Sequence, residues 1–289
     1  MQKVAVIGAG LMGTGIAQTV AQAGIDVVLC DVDVVIADKA KGKIEKTLGR
    51  LVEKEKIAAA DAEAAVARIQ TTSDYAPMAD ADFIIEAATE REEIKRKVFA
   101  TVGEVLREDA ILASNTSSIP ITRMAAASPD PARFIGIHFF NPVPVMQLVE
   151  VIPGLATSEE TVSKVRKFAD LIGKVVVRAG DEPGFVVNRI LVPMLNEAIF
   201  VLGQGTGNIA DIDQGLKLGA NHPMGPLELS DFIGLDTVLE IMLVLHNTTG
   251  EDKYRPAPLL RKYVEAGWLG RKSGRGFYDY SGPEPVPTR

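Results

Sequence analysis

The sequence predicts an α/β fold, in which a mostly parallel β-sheet covered by helices forms a first domain and a smaller all-α domain follows. Apolar runs alternate with helical patterns through the first part of the chain, as is typical of βαβ units. The length of 289 residues is about twice that of a typical domain of roughly 150 residues, which indicates two domains. Strand patterns become rare beyond Gly180, Pro183 and Gly184. We therefore expect domains at residues 1–182 and 183–289.

The first domain begins with a strand, a helix and a second strand. The apolar run 4–7 predicts the first strand, the segment from about Met12 predicts the helix, and the run 27–30 predicts the second strand. Further apolar runs at 83–85 and 110–113 flank a segment with apolar residues at helical spacing. Because parallel strands are joined by helical crossovers, this alternation predicts a parallel sheet with helices on its faces.

Two later strands are predicted at 134–138 and 147–151, joined by a proline-containing turn at 141–144. If the two strands pair antiparallel, the register places Glu150 opposite His138 on one face of the sheet. A carboxylate there would fix the tautomer of the imidazole and raise its basicity, as a base that takes a proton from an alcohol requires. A purely structural pair is the alternative.

The second domain is predicted to be helical, notably at 209–218 and 236–245. Its two histidines, His222 before a proline and His246 in a helical pattern, are interpreted as structural. We expect the last eight or so residues to be disordered.

Composition excludes several classes of protein. With 47% hydrophobic and 24% charged residues, the chain is not disordered or collagen-like. The single cysteine, Cys30, and an N-terminus without a signal-peptide pattern favour the cytoplasm. No apolar stretch approaches the roughly 18 residues of a membrane span. A net charge of -7 disfavours nucleic-acid binding. No Cys/His cluster or phosphate loop of NTPase type is present, which argues against metal hydrolases and NTPases.

A G-x-G-x-x-G motif follows the first predicted strand and opens the first predicted helix. Its glycines allow a tight turn, close approach of the backbone to a pyrophosphate and close helix packing, and the helix N-terminus supplies amides to the phosphates. A plain glycine-rich turn is the alternative, but this context is that of a Rossmann-type dinucleotide-binding fold. The predicted cofactor-binding residues of the turn are Gly8, Gly10, Leu11, Met12 and Gly13.

Asp31 lies at the end of the second predicted strand and indicates whether the dinucleotide is NAD or NADP. Its carboxylate can accept hydrogen bonds from the adenine-ribose diol and would repel a 2'-phosphate. No arginine follows among Val32, Asp33 and Val34 to bind such a phosphate. The sequence therefore favours NAD over NADP.

A stripe of basic residues lies on one face of the helix predicted around residues 39–56, opposite an apolar face. The stripe consists of Lys39, Lys43, Lys46, Arg50 and Lys54, and the apolar face of Ile44, Leu48 and Leu51. A solvated charged face is the common explanation of such a pattern, and a phosphate-rich small ligand is the alternative.

Two polar segments lie where a ligand would bind. Residues 114–118, Ser-Asn-Thr-Ser-Ser, follow a predicted parallel strand, so we expect their hydroxyls to face a ligand at the carboxyl edge of the sheet. The alternative, for one or two of these residues, is an N-cap or ST-turn for a helix that starts near Ile121. Asn188 lies about one turn into the first helix of the second domain, as a buried amide that either links helices or binds a substrate oxygen at the domain interface.

Taken together, these motifs resemble those of the short-chain L-3-hydroxyacyl-CoA dehydrogenase family, and within it most closely the bacterial 3-hydroxybutyryl-CoA dehydrogenases. The resemblance covers about residues 3 to 280. Its segments are 8–13, 114–118, 138–142 with Glu150, 183–189, 221–231 and 270–278.

The resemblance implies an NAD-binding first domain, a helical second domain that forms a homodimer, and an active site in the cleft between the domains. It implies hydride transfer that interconverts (S)-3-hydroxybutyryl-CoA and acetoacetyl-CoA. By resemblance, His138 is the catalytic acid/base, Glu150 orients it, and Ser117 and Asn188 bind the reacting oxygen. The remaining implied contacts are Asn115, Glu90 and Lys95 for the cofactor, and Arg50 and Lys54 for the phosphates and pantetheine arm of coenzyme A.

Two alternatives remain. A β-hydroxyacid dehydrogenase uses a catalytic lysine in the region where this chain has Asn188 and Arg189, and arginine is too basic for that proton transfer. A noncatalytic NAD-binding protein that keeps the fold, as in related lens crystallins, would be distinguished by its lack of turnover.

Overall fold

A computed structural model describes residues 1–288, and the chain forms two compact units, Met1–Glu182 and Pro183–Arg289. An eight-stranded sheet organises the first unit. Its strands are β1 (Lys3–Ile7), β2 (Asp26–Cys30), β3 (Ile69–Thr72), β4 (Phe83–Glu86), β5 (Ile111–Ser114), β6 (Phe134–Phe139), β7 (Leu148–Pro153) and β8 (Val175–Arg178).

The sheet order is β3-β2-β1-β4-β5-β6-β7-β8. Strands β1 to β6 run parallel, whereas β7 is antiparallel to β6 and parallel to β8. The predicted α/β class with a mostly parallel sheet is confirmed. The chain runs outward from β1 to β3 and then returns to β4 beside β1. Ligands of such sheets bind at this switch point, beyond the carboxyl ends of the strands.

Helices connect these strands, and the longest of them has one apolar face and one basic face. They are α1 (Leu11–Gln22), α2 (Val34–Glu53), α3 (Ala59–Ala67), α4 (Glu92–Gly103), α5 (Ile121–Ala125) and α6 (Glu159–Leu171). Helix α2 buries Ala37, Ala40, Ile44 and Leu48 against the sheet. The basic stripe, Lys39, Lys43, Lys46, Arg50 and Lys54, is exposed. The predicted amphipathic helix is therefore confirmed.

The second unit has its own apolar core, formed around Leu227, Leu235 and Val238. Its helices are α7 (Val187–Gly203), α8 (Ile209–Gly219), α9 (Pro226–Ile233), α10 (Leu235–Thr249) and α11 (Pro258–Glu265). The helices predicted at 209–218 and 236–245 are confirmed. Within residues 1–288, no helix combines the length and apolarity that a bilayer crossing requires.

The predicted disorder of the last residues is wrong for those that the structure describes. Strand β10 (Val286–Pro287) pairs antiparallel with β9 (Tyr278–Asp279). The Thr288 amide also donates a hydrogen bond of 2.9 Å to the carbonyl of Phe277. The polar, proline-rich composition of this segment carries no local strand signal, because the pairing depends on a partner strand earlier in the chain.

Candidate active site

The glycine-rich turn between β1 and α1 is shaped to accept a pyrophosphate. Gly8 has a φ of 102°, and a Cβ there would lie 2.5 Å from the Cα of Ala88. A Cβ on Gly13 would lie 1.7 Å from the carbonyl oxygen of Gly8. A Cβ on Gly10, in contrast, would meet no atom within 4 Å. The first and third glycines are thus needed for packing, whereas the second leaves open space above the backbone.

The start of helix α1 adds favourable electrostatics to this turn. Gly10 is the N-cap residue, so the amides of Leu11 and Met12 belong to the first helical turn, whose N–H groups have no acceptor within the helix. These donors and the helix dipole attract phosphate oxygens.

Asp31 follows β2 and lies beside the same turn. Its Oδ2 accepts a hydrogen bond of 2.7 Å from the Ala9 amide, and its Oδ1 accepts one of 2.8 Å from the Val32 amide. Each carboxylate oxygen retains capacity for a further donor, such as a ribose hydroxyl. Val32 is 92% exposed and uncharged. The groups around the turn therefore fit NAD.

The antiparallel strands β6 and β7 bring His138 opposite Glu150, which confirms the predicted register. The Nδ1 atom of His138 lies 2.8 Å from Oε2 of Glu150. Both side chains are buried, with 7% and 0% of their residue surface exposed. In the neutral imidazole, a carboxylate that accepts from Nδ1 requires the hydrogen on Nδ1 and leaves the lone pair on Nε2. The arrangement can therefore move a proton at Nε2 while the ring stays fixed.

The segment that follows β5 is connected to the histidine strand. The side-chain oxygen of Asn115 accepts a hydrogen bond of 2.9 Å from the amide of Phe139, the residue after His138. The Phe140 ring lies against the imidazole, with ring centroids 4.7 Å apart. Asn115 thus joins the carboxyl ends of β5 and β6 at the same edge of the sheet.

One carboxylate oxygen of Glu90 accepts hydrogen bonds from the hydroxyl-bearing residues of this segment. Its Oε1 accepts hydrogen bonds from Thr116 Oγ1 (2.6 Å), Ser117 N (2.9 Å), Ser117 Oγ (3.1 Å), Ser118 N (3.1 Å) and Ser118 Oγ (2.9 Å). Burial raises the pKa of Glu90, but the charge of Lys95 and these hydrogen bonds outweigh it and hold that pKa below its usual value. An ionised Glu90 therefore holds the segment.

Two hydroxyls of 114–118 have structural partners, as the sequence allows for one or two residues of this segment. Ser114 is fully buried, and its Oγ donates a hydrogen bond of 2.8 Å to Glu86. Thr116 is also buried, and its Oγ1 accepts hydrogen bonds from the amides of Ser118 and Ile119 at 3.2 and 2.9 Å. The turn-forming alternative therefore applies to Thr116.

Lys95, on α4, lies within the protein beneath Glu90. Its Nζ is 2.7 Å from Oε2 of Glu86, 3.4 Å from Oγ of Ser114 and 3.7 Å from Oε2 of Glu90. Sequence reasoning missed Glu86, the buried last residue of β4. The sequence does contain an indication of this residue, because Glu86 is the one carboxylate at the end of an otherwise apolar strand, at the edge of the sheet where ligands bind.

Arg50 and Lys54 lie at the C-terminal end of α2, where Arg50 is in the last turn and Lys54 is the C-cap. Both are exposed, as are the other three cations of the stripe. Within residues 1–288, none of these five side chains forms an ion pair with a carboxylate. They are thus available to an anionic ligand.

Asn188 is the second residue of α7 and is half-buried, so the expectation of a buried amide one turn into the helix is wrong. The helix begins late because Gly184 and Phe185 have φ values of 75° and 50°, outside the helical region. The Arg189 amide donates to the carbonyl of Gly184 at 3.0 Å and closes this turn. Asn188 therefore presents its amide near the start of a helix in the second unit.

Comparisons with known proteins cover nearly the whole chain. Residues 3–182 match the family described as 3-hydroxyacyl-CoA dehydrogenase, NAD binding domain, and residues 184–280 match its C-terminal domain. A 3-hydroxybutyryl-CoA dehydrogenase of Bradyrhizobium diazoefficiens is 55% identical over 289 residues, 100% of this chain and 99% of that protein. A probable 3-hydroxybutyryl-CoA dehydrogenase of Deinococcus radiodurans is 56% identical over 278 residues, 96% of this chain and 100% of that protein.

A solved structure shows the same fold. The (S)-3-hydroxybutyryl-CoA dehydrogenase from Ralstonia eutropha matches with a TM-score of 0.95 and 48% sequence identity, over 98% of this chain and 100% of that chain.

Proposed function

The chain belongs to the 3-hydroxyacyl-CoA dehydrogenase family, and we propose that it interconverts (S)-3-hydroxybutyryl-CoA and acetoacetyl-CoA with NAD as its cofactor. The observation that carries the proposal is the buried pair of His138 and Glu150, joined through Asn115 to the segment that holds Ser117. The pair lies in the unit that matches the NAD-binding domain of the family.

In this proposal His138 is the catalytic acid/base. NAD supplies the hydride chemistry at C4 of its nicotinamide. His138 takes the proton of the 3-hydroxyl through Nε2 in one direction and returns it in the other. Glu150 keeps the hydrogen on Nδ1 and stabilises the imidazolium that forms. The 2.8 Å contact between the two side chains supports these roles.

Ser117 and Asn188 are proposed to bind the reacting 3-oxygen. A well-placed donor to a developing alkoxide typically contributes about 3 kcal/mol to the stability of a transition state. In this structure the Ser117 hydroxyl donates to Glu90, so its hydrogen has to turn towards the 3-oxygen to stabilise a developing alkoxide. The contribution of Asn188 is tested by Asn188→Ala, for which we expect slower turnover.

The cofactor is proposed to lie along the carboxyl edge of the sheet, with its pyrophosphate at the glycine-rich turn and its adenine ribose at Asp31. Glu90 follows β4, Lys95 lies on α4 and Asn115 follows β5, on the nicotinamide side of the switch point. We expect higher kcat/KM with NADH than with NADPH, because Asp31 repels a 2'-phosphate. A preference for NADPH would contradict this role of Asp31.

Arg50 and Lys54 are proposed to bind the phosphates and pantetheine arm of coenzyme A. Their exposure and their lack of carboxylate partners within the described part of the chain support this role. We expect Arg50→Ala to raise KM for acetoacetyl-CoA with little change in kcat. Lys39→Ala, on the same stripe, is the matched control and should leave KM unchanged.

We also propose that residues 1–182 form the NAD-binding domain and residues 183–289 a substrate and dimerisation domain of a cytoplasmic homodimer. Family membership and the single cysteine support this arrangement. We also propose a small-molecule substrate and no nucleic-acid or membrane partner, and the net charge of -7 supports the absence of nucleic-acid binding. Light scattering during size-exclusion chromatography tests the dimer, which a monomeric mass would contradict.

The first experiment follows the loss of NADH absorbance with acetoacetyl-CoA, longer 3-ketoacyl-CoAs and free acetoacetate. We expect rapid oxidation with the four-carbon thioester and none with free acetoacetate. His138→Gln should lose most turnover and keep its affinity for NADH, whereas His246→Gln serves as the matched control. Near-normal turnover of His138→Gln would contradict the assignment, and silence with every thioester despite NADH binding would favour a noncatalytic protein.

A further inference from the structure

Glu86 is a fully buried carboxylate that the proposed chemistry does not use. Its Oε1 accepts a hydrogen bond of 2.8 Å from the Ala88 amide. Its Oε2 accepts hydrogen bonds from Lys95 Nζ at 2.7 Å and from Ser114 Oγ at 2.8 Å. A carboxylate in such a place loses its hydration and is stable only with partners of this kind.

Lys95 extends this contact to a second carboxylate. Its Nζ lies between Glu86 and Glu90, 2.7 Å from one and 3.7 Å from the other. Only 2% of the lysine side chain is exposed, against 35% of the Glu90 side chain. The ammonium therefore lies within the protein, with Glu86 as its close counter-ion and Glu90 above it towards solvent.

Glu90 in turn determines the position of the Ser117 hydroxyl. One of its oxygens accepts five hydrogen bonds from the backbone and hydroxyls of residues 116–118. An ionised carboxylate suits this role because it accepts without supplying a proton of its own. A displacement of Lys95 would therefore shift Glu90 and weaken its hydrogen bonds to Ser117.

We propose that Glu86 is a positioning residue, which holds Lys95 beneath Glu90 and, through Glu90, keeps the Oγ of Ser117 in place for the 3-oxygen of the substrate. The inference rests on the proposed function, since it assigns Glu86 to the site in which Ser117 binds that oxygen. A residue that only stabilises the fold would lower the amount of folded enzyme, whereas Glu86 acts on the turnover of folded enzyme through Ser117.

The test is a double-mutant cycle of Glu86→Gln and Ser117→Ala, read as kcat with acetoacetyl-CoA and NADH. Gln keeps the size of the side chain and removes the charge that binds Lys95. We expect each single variant to lower kcat by about 10- to 100-fold, because small displacements of a positioned group cost rates of this order. We expect the double variant to be little slower than Ser117→Ala, since the two changes remove the same interaction.

A matched cycle pairs Glu86→Gln with Asp31→Asn, a carboxylate at the other side of the cofactor turn. Here we expect the effects on kcat/KM to multiply, because Glu86 does not act through Asp31. Circular dichroism and the melting temperature show that each variant is folded. If Glu86→Gln does not fold, Glu86→Gln with Lys95→Met removes both charges, and we expect the same low kcat and the same dependence on Ser117.

The outcomes separate this inference from the proposed function. Normal turnover of Ser117→Ala would overturn the role of Ser117 and the inference with it. A slow Ser117→Ala combined with a normal kcat of Glu86→Gln, or with effects that multiply in the first cycle, would overturn the role of Glu86 alone.

Discussion

Both units of the protein bury carboxylates, but they provide them with different partners. In the first unit, Glu86 and Glu150 are 0% exposed and contact the side chains of Lys95 and His138. In the second unit, Asp213 and Asp231 are 2% and 1% exposed. These two aspartates accept hydrogen bonds from backbone amides and tyrosine hydroxyls.

The two buried aspartates of the second unit form hydrogen bonds that link distant segments of the chain. Asp213 caps the start of α9 through the amides of Leu227 (2.7 Å) and Glu228 (3.0 Å), and it accepts a hydrogen bond of 2.7 Å from the Tyr278 hydroxyl. Asp231 accepts hydrogen bonds from Phe277 N (3.0 Å), Tyr278 N (2.9 Å) and Tyr280 Oη (3.0 Å). Burial raises the pKa of both aspartates more than these hydrogen bonds lower it.

Burial alone therefore does not distinguish the carboxylates to which we assign a function from those that link segments of the chain. A titratable or charged side-chain partner lets the carboxylate orient a proton carrier or a cation. Backbone donors and tyrosine hydroxyls make it a fixed link between segments, because these partners do not change charge near neutral pH. The difference leads to opposite expectations for isosteric substitutions in the two units.

The largest effect is expected from Glu150→Gln. The amide oxygen can still accept from Nδ1 of His138, but it no longer stabilises the imidazolium, so we expect kcat to fall by about 100-fold or more. The melting temperature should change little. Asp213→Asn is the matched variant of the second unit, and a comparable loss of kcat in folded Asp213→Asn would contradict this functional difference between the two units.

A smaller effect, on stability instead of rate, is expected from Asp231→Asn. The NH₂ group of asparagine would face the amide of Phe277 or that of Tyr278, so one buried donor loses its acceptor. We expect the free energy of unfolding to fall by about 1–3 kcal/mol, measured in urea, with kcat per folded molecule unchanged. The exposed Asp252→Asn is the control. Unchanged stability of Asp231→Asn would show that its hydrogen bonds do not hold the unit together.

The smallest effect is a difference in pH dependence between Glu90 and Asp231. The pKa of Glu90 is lowered on folding, so its stabilising contribution is present above the unfolded pKa of about 4.3 and is lost as the pH falls through the folded value. The pKa of Asp231 is raised on folding, so its contribution is present below about 3.9 and is lost as the pH rises through the folded value.

Urea unfolding of Glu90→Gln and Asp231→Asn between about pH 3 and pH 7 measures this difference. As the pH rises, the free energy of unfolding of the wild type should increase relative to that of Glu90→Gln. It should decrease relative to that of Asp231→Asn. Slopes of the same sign would contradict the assignment of opposite pKa shifts to the two units.

Several parts of the candidate site were predictable from the sequence because their signals are local. The glycine-rich turn depends on φ angles and close contacts within a strand, turn and helix that are consecutive in the chain. The pairing of His138 with Glu150 follows from the short turn between two adjacent strands. Family resemblance added roles for other residues, among them Ser117 and Asn188, that remain proposals.

The α/β class, the dinucleotide turn with Asp31 and the pairing of His138 with Glu150 are predictable from the amino-acid sequence, since each depends on segments that lie close together in the chain. The partners of the other buried carboxylates are visible only in the folded protein. Glu86 meets Ser114 across 28 positions, and Asp231 meets Phe277 across 46. A buried charge is stable only with hydrogen-bond donors, and the fold can supply these donors from residues far away in the sequence. Local patterns in the sequence do not indicate which distant residues these are.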